Sequence, residues 1–301
     1  MRTRSTRRGA ARLLAALVAG AVLAGAGCSG DDEEGGDAQG ADEASSPEGK
    51  GEGAGDRAGR GGDVASPAVE GPITGGAYDL PFNPMPSRLA DYYGYVEDEY
   101  FISGEATAYS AEGAWGEDGD WATTTGDTAP YTTRILVRRP TDAEAFNGTV
   151  LVEWLNVSSG MEADPGFGLA HDLLLRDGYA YVGVSAQAGG VTGEGALRLD
   201  IPGFQAQSLK EWDRDRYAPL EHPGDAWSYD IYSQVAQVVR RPGDIDPLDG
   251  LDVERVIAAG ESQSAMRMVT YVNAVHPLAD IYDGFLIHSR GGSAAAVTEA
   301  A

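Results

Sequence analysis

The sequence contains a single cysteine, Cys28, and only four histidines among its 301 residues. One cysteine cannot form an intramolecular disulfide. The histidines lack a metal-ligating spacing such as H-E-x-x-H, and the glycine pairs at 189–190 and 291–292 lack the spacing of a phosphate loop or a dinucleotide site. The sequence therefore predicts no metal and no other cofactor.

Basic residues are scarce compared with acidic ones. The chain has 22 lysines and arginines against 47 aspartates and glutamates, which gives a formal net charge of -25 at pH 7. Nothing in such a chain would neutralise the phosphates of a nucleic acid. We therefore expect no nucleic-acid partner.

No apolar run is long enough to span a membrane as a mature helix. The longest uncharged apolar stretch, Leu13 to Ala26, follows a series of arginines at positions 2, 4, 7, 8 and 12. A charged segment, a short apolar segment and small residues are the parts of a secretory signal peptide, which we place at residues 1–27. The Arg7-Arg8 pair leaves the export route open, with the twin-arginine route as one alternative.

Cys28 directly follows the small residues Ala24 to Gly27. This placement resembles the lipidated cysteine of a bacterial lipoprotein signal, although Gly25 stands where a leucine is expected. A free structural thiol is the alternative. The prediction is an exported cell-envelope lipoprotein, held on the outer face of the membrane by a lipid anchor at Cys28.

Residues 28–71 are rich in Gly, Asp, Glu, Ala and Ser and have almost no large apolar side chains. Such a segment cannot bury enough surface to offset the entropy lost on ordering. It is predicted to be a disordered acidic tether. Residues 72–301 are enough for one domain with a sizeable core.

The segment Val253 to Ala274 reads as a buried strand, a tight turn and a helix. A short apolar run ends at Gly260, and apolar residues then recur at helical spacing. Ser262 lies at the turn, with Gly260 and Ser264 two residues away on either side. This G-x-S-x-S pattern is typical of a nucleophile elbow, in which the second small residue lets strand and helix approach closely. The alternative is a turn that happens to contain serines.

Strands and helices alternate through the rest of the domain. Strand patterns occupy residues 100–109, 131–138, 149–155, 179–185, 253–259 and 284–288, and helical patterns occupy 168–176 and 229–240. Such alternation predicts an α/β fold with a mostly parallel sheet flanked by helices. Ser262 would lie at the carboxyl ends of the strands, where active sites of such sheets are found.

Two backbone donors for an oxyanion hole are expected at the same edge. One is the N–H of Gln263, next to the nucleophile, and the other comes from the loop Asn156 to Gly160 after a buried strand, with Asn156 and Val157 as candidates. An ordinary polar turn is the alternative for this loop.

The chain resembles the α/β-hydrolase superfamily, and in particular a bacterial group of α/β-hydrolase domain-containing proteins. The resemblance covers residues 101–292, and its stretches are His222 to Gln234, Ala258 to Leu278 and Tyr282 to Gly292. It implies that Ser262 is the nucleophile of a carboxylesterase-like acyl hydrolase that acts on a small ester through an acyl-enzyme.

A serine nucleophile needs a histidine base and an orienting acid, which follow the serine in this fold. Only 39 residues follow Ser262. We interpret the chain as the N-terminal part of a longer hydrolase, inactive alone, with a sheet that is incomplete and exposed at its C-terminal side and a catalytic acid and histidine beyond residue 301. If the chain is complete, His288 or His222 is the base.

Two other functions compete with the esterase prediction. A lipid-anchored binding protein would explain the anchor but not the elbow, and a scaffold with a non-catalytic hydrolase fold would explain the missing triad members. The long connection Gly189 to Trp227 could cover a substrate pocket, since loops of this length are usually functional. Its aromatic residues could instead pack on the core, namely Phe204, Trp212, Tyr217 and Trp227.

Overall fold

The computed structural model describes residues 63–195 and 205–298. The predicted signal peptide, Cys28 and its lipid anchor, most of the tether, and Phe204 lie outside these residues. Within the described residues, no helix is both long enough and apolar enough to cross a lipid bilayer.

Seven strands form one sheet in the order β1-β2-β3-β5-β4-β6-β7. In chain order the strands are β1 (Ala68–Glu70), β2 (Tyr95–Ala111), β3 (Thr123–Pro140), β4 (Thr149–Trp154), β5 (Ala180–Val184), β6 (Arg255–Glu261) and β7 (Gly284–His288). The four strands β5, β4, β6 and β7 are parallel to one another. The sheet is therefore built around a parallel part that ends in β7.

The prediction of a mostly parallel sheet is only partly correct, because β1, β2 and β3 pair antiparallel and β3 also joins β5 antiparallel. The sheet is mixed. The reason is that no helix lies between β2 and β3, and parallel neighbours would need such a crossover connection. Both strands also extend well beyond the apolar stretches 100–109 and 131–138 that the sequence indicates. In β3 this extension is exposed at residues 124–128, whereas Tyr95 at the start of β2 packs in an apolar cluster.

The helices flank this sheet. They are α1 (Ser87–Tyr93), α2 (Pro165–Arg176), α3 (Ala188–Val191), α4 (Leu209–Trp212), α5 (Ser228–Arg240), α6 (Gln263–Thr270) and α7 (His276–Ala279), with a π-helical turn at Tyr271–Val275 and 3-10 turns at Ala143–Ala145 and Asp225–Trp227. Helix α2 begins three residues earlier than expected because Pro165 occupies its first position, where a missing N–H costs nothing.

The boundary of the tether requires a correction. Residues Ala68–Glu70, placed in the disordered segment by their composition, form β1 and pair with Phe101 to Ser103 of β2. Val64 and Val69 pack against the main core. The folded part thus begins before Pro72, because Val64 and Val69 pack on the core and β1 pairs with an available edge of β2.

Both faces of the parallel strands are covered, because side chains alternate along each strand. Val152 of β4 lies in the main core with Tyr232 of α5 and Met268 of α6. Leu151 points to the opposite face, where it packs with Phe167 of α2. The helices on either side thereby fix β4 and β6, whose carboxyl ends carry the candidate site.

A third apolar cluster includes residues of the long connection. Tyr217 is fully buried, and the Trp212 ring stacks on Tyr78 with 4.5 Å between ring centroids. The Trp227 indole N–H donates to the carbonyl of Asp127 across 3.2 Å. Tyr217, Trp212 and Trp227 all pack in or against apolar clusters, which supports the interpretation that these three aromatic residues pack on the core.

Beneath that cluster lies a buried group of charged side chains. Arg134 of β3 forms ion pairs with Glu99 of β2 at 3.0 Å and with Glu162 at 2.8 Å. Arg216 pairs with the second oxygen of Glu99 at 2.6 Å, and every side chain in the group is at most 3% exposed. Burial raises the pKa of Glu162 despite the neighbouring arginine. The group ties the long connection and the loop after β4 to the β2–β3 hairpin.

At the other end of the sheet, β7 pairs with β6 and is the last strand in the order. Its side chains are only partly buried, and Leu286 is 47% exposed. Among the described residues, β7 is therefore an edge strand of the sheet.

Candidate active site

Ser262 lies between β6 and α6 and has φ 55° and ψ -112°. Residues other than glycine rarely adopt a positive φ, and they do so only where the surrounding structure stabilises this backbone conformation. Two hydrogen bonds hold this one: the Ser262 N–H donates to the carbonyl of His288, and the Met266 N–H donates to the carbonyl of Ser262, each across 3.2 Å. The predicted strand, turn and helix are present, with the serine at the apex.

The turn depends on small residues around the serine. A Cβ atom added at Gly260 would lie 2.7 Å from the Ser264 carbonyl oxygen and 2.7 Å from Cγ of Met268. Ser264 is itself completely buried. The helix therefore approaches the strand as closely as the sequence pattern predicts, and serine at position 264 is small enough to allow it.

The first turn of α6 provides one candidate oxyanion donor. The first N–H groups of a helix have no partner within the helix, and they carry the positive end of its dipole. Gln263 is the first residue of α6 and directly follows Ser262. Its N–H is therefore one of the first N–H groups of the helix, and it stays the predicted oxyanion donor.

The loop after β4 lies beside the elbow, but Asn156 cannot act as predicted. Its N–H donates to the carbonyl of Ala163 across 2.9 Å, so this donor is already used. The side-chain amide of Asn156 instead donates to the carbonyl of Glu261 across 2.9 Å. Asn156 therefore links the loop to Glu261, the residue before Ser262, and Val157 stays the predicted backbone donor from this loop.

Glu153 of β4 is a buried acid whose role the sequence did not reveal. Its carboxylate accepts hydrogen bonds from the N–H groups of Gly166 at 2.7 Å and Phe167 at 3.0 Å, and from the hydroxyl of Tyr181 at 2.8 Å. It thus caps the N-terminus of α2 from inside the sheet. Burial, reinforced by the charge of Asp164, raises the pKa of Glu153 to about 7. The one signal for this cap is an acid within the apolar run 149–155.

We predict that Glu153 makes stability depend on pH. Its pKa is 4.5 in an unfolded chain and about 7 when folded, so the folded state holds the proton more tightly and stability falls as pH rises from about 4.5 to 7. In Glu153→Gln this contribution is lost. The free energy of unfolding, measured with urea at a series of pH values, should fall less across this window than in the wild type.

Glu254→Gln is the control for this prediction, since the Glu254 side chain is 47% exposed. It should follow the wild-type pH dependence. Burial lowers the pKa of His222, which gives an opposite slope, but that contribution is common to all three proteins and cancels in the comparison. Parallel curves for wild type and Glu153→Gln would contradict the raised pKa.

His222, one of the two candidate bases, has both ring nitrogens engaged by the backbone. Nδ1 accepts from the Gly224 N–H across 3.2 Å, so Nε2 carries the proton and donates to the carbonyl of Ala186 across 3.0 Å. Burial lowers the pKa of His222, which favours this neutral form even though Asp225 is close. These two hydrogen bonds indicate a structural role for His222, which links its own loop to the backbone at Ala186.

His288, the other candidate base, ends β7 and pairs with Glu261 in the sheet register. Its carbonyl accepts the Ser262 N–H, while its ring lies 3.5 Å from the hydroxyl of Ser289. Within residues 63–195 and 205–298, no hydrogen bond joins either candidate histidine to the hydroxyl of Ser262. The same residues contain no group of three or more His, Cys, Asp or Glu side chains that could hold a metal ion.

Behind the elbow lies a buried polar network that sequence patterns do not indicate. Gln187, just after β5, accepts hydrogen bonds from the Trp154 indole and from the Gln263 side chain, both at 3.0 Å. It donates to Asp225 across 2.9 Å, and Asp225 also accepts from Arg267 of α6 across 2.8 Å. The network joins the carboxyl ends of β4 and β5 to the start of the elbow helix.

Solved structures similar to this chain are distant esterases. Esterase Est22 is 14% identical, over 66% of this chain and 45% of its own, with a TM-score of 0.31. The rice cell wall degrading esterase LipA from Xanthomonas oryzae is 13% identical over 66% of this chain and 44% of its own, with a TM-score of 0.30. A fungal esterase from Rhizomucor miehei is 11% identical over 62% and 42%, with a TM-score of 0.28.

This chain spans less than half of the length of these three structures. No curated protein matches it. The match that decides the family is to a model described as an alpha/beta hydrolase domain, which extends over residues 69–301 and so includes every strand of the sheet except the first residue of β1. The chain therefore belongs to the alpha/beta hydrolase domain family.

Proposed function

We propose that the protein is a serine hydrolase that cleaves small carboxylic esters, exported and anchored at Cys28 as its N-terminal sequence predicts. The observation that carries the proposal is the conformation of Ser262, a non-glycine residue with φ 55° at the junction of β6 and α6. A strained serine at this place in the sheet is the arrangement that exposes a nucleophilic hydroxyl. Membership of the family supports the same chemistry.

The reaction follows from the groups around the serine. The Ser262 oxygen attacks the ester carbonyl carbon while a histidine takes the hydroxyl proton, and the negative oxygen that forms is bound by the N–H groups of Gln263 and Val157. The tetrahedral intermediate breaks down as the histidine returns the proton to the leaving alcohol. Water, activated by the same histidine, then releases the acid from the acyl-serine.

The histidine and its orienting acid are proposed to lie beyond residue 301. This assignment is supported by the two candidate histidines themselves, because His222 is held by two backbone hydrogen bonds and His288 meets the serine through its carbonyl. Asp283 does not fit the role of the acid. It pairs with Arg240 and accepts the N–H of Val256, which is at the opposite end of β6 from Ser262.

Covalent capture by a fluorophosphonate probe tests the proposal. The protein extended by its downstream reading frame should form an adduct, and peptide mapping should place it on Ser262; Ser289→Ala, which removes a neighbouring exposed serine, should label equally well. Residues 1–301 alone should label far more slowly. Rapid capture by residues 1–301 would instead make His288 or His222 the base. Absence of an adduct from both forms would favour a binding or scaffold protein.

A further inference from the structure

The amide of Gln187 has one orientation fixed by three hydrogen bonds. Its oxygen accepts from the Trp154 indole and from the side-chain amide of Gln263, and its nitrogen donates to Asp225. A reversed amide would place its N–H₂ group against two donors. Gln187 is only 4% exposed, so water does not offer an easy substitute for these partners.

Asp225 anchors this glutamine from behind. One of its carboxylate oxygens accepts the Ala188 N–H across 2.9 Å, and the other accepts both Gln187 and Arg267. The charge of Arg267 balances that of Asp225, and both side chains are largely buried. The hydrogen bonds of Gln187 and Asp225 restrain these two side chains, because either of them would leave a costly unpaired group if it moved.

The two groups that meet at the Gln187 oxygen belong to the two segments that supply the candidate oxyanion donors. Trp154 is the last residue of β4, and the loop with Val157 follows it. Gln263 carries the other donor on its own backbone. Because the Gln187 oxygen accepts hydrogen bonds from both Trp154 and Gln263, it links the end of β4 to the start of α6.

We propose that Gln187 is a positioning residue for the oxyanion hole, acting through its hydrogen bonds to Trp154 and to the side chain of Gln263. The inference rests on the proposed function, since it assigns these backbone groups to an ester-derived oxyanion. Oxyanion donors must lie within about 2.7 to 3.1 Å of the charged oxygen, so a small displacement matters. Gln187 touches no substrate in this scheme and sets only the placement of the donors.

Steady-state kinetics of the full protein on a neutral p-nitrophenyl ester test this role. Gln187→Leu keeps the approximate volume and removes all three hydrogen bonds, and Gln263→Ala removes the side-chain link while it retains the backbone N–H. Each of the two variants should lower kcat by roughly 10- to 100-fold and leave KM nearly unchanged. An effect of this size is expected when the oxyanion donors are displaced by up to about 1 Å. The double variant should be no worse than Gln187→Leu, because Gln187→Leu already removes the hydrogen bond that Gln263→Ala would break.

Two further measurements separate positioning from general damage. A trifluoromethyl ketone, which forms an oxyanion on the serine, should bind the variants more weakly by the factor lost in kcat/KM. Gln234→Leu is the matched control: Gln234 is fully buried in α5 and bonds to Tyr131 and to the Glu105 carbonyl, outside the network. It should lose stability but keep the wild-type kcat.

The outcomes are distinct. If Gln187→Leu fails to fold, Gln263→Ala decides, since its side chain is partly exposed. If the wild type hydrolyses the ester and both network variants match it, or if Gln234→Leu loses as much kcat as they do, the positioning role is wrong while the proposed function stands. A wild type that neither hydrolyses the ester nor captures the fluorophosphonate removes the proposed function, and the positioning role with it.

Discussion

In the protein extended by its downstream reading frame, replacing Ser262 with alanine is expected to lower kcat for ester hydrolysis by on the order of 10⁶-fold, because loss of the nucleophile in a serine hydrolase leaves only the oxyanion donors and binding. The free energy of unfolding should barely change. Alanine keeps the Cβ atom and so keeps the backbone strain at φ 55°, and nearly the same contacts remain. Kinetics on a p-nitrophenyl ester and urea unfolding of the same preparations measure the two effects.

Ser262→Gly is the informative companion to this variant. It removes the same hydroxyl, but glycine adopts a positive φ without strain, so the protein should gain roughly 1 kcal/mol of stability. We expect both variants to be inactive and only Ser262→Gly to be more stable than the wild type. This result would show that the backbone strain at the turn is retained for the function of the serine. Full activity in Ser262→Ala would require another serine, although Ser264 is completely buried.

Replacing Arg134 with methionine is expected to destabilise the protein by about 3 to 5 kcal/mol, since it leaves two buried carboxylates without their shared cation. Arg134 is 1% exposed and bonds to Glu99, Glu162 and the carbonyl of Phe82. Methionine fills much of the space but cannot pair with a charge. The midpoint of urea unfolding reports the loss.

Arg176→Met provides the contrast, because the ion pair of Arg176 with Asp177 lies at the surface with side chains 63% and 44% exposed. Exposed pairs contribute little, so this variant should unfold at nearly the wild-type midpoint. Equal effects of the two substitutions would mean that the buried group does not hold the hairpin and the long connection together.

The elbow could be predicted from the sequence because its determinants are local. An apolar run, Gly260, Ser262 and the helical spacing after them lie within about twenty residues. Strand ends are predicted less well, since β3 includes the exposed residues 124–128, which backbone pairing rather than burial holds in the sheet. The three-residue strand β1 is too short to produce any periodicity.

The polar groups of the site could not be predicted for a different reason. Gln187, Asp225 and Gln263 lie far apart in sequence, and glutamine and aspartate are common at the surface, so nothing marks them as partners. In the sequence, Glu153 is only an acidic residue within an apolar strand pattern. In the structure it caps a helix that begins twelve residues later. The sequence indicates that Asn156 lies in the loop after β4. It does not indicate that the Asn156 N–H is engaged, because this depends on a β-bridge to Ala163 that only the fold reveals.

The hydrogen bond from Ser262 to His288 has a consequence for the moment at which the protein acquires its reactive serine. A chain emerges from the ribosome from its N-terminus, so the strand, the serine and the elbow helix appear before β7 does. The amide of Ser262 then has no partner until His288 arrives and β7 pairs with β6. The residues of the motif are contiguous in sequence, but the strained conformation of Ser262 depends on the pairing of β7 with β6. The serine hydroxyl is therefore exposed in its reactive geometry only after this part of the sheet has folded.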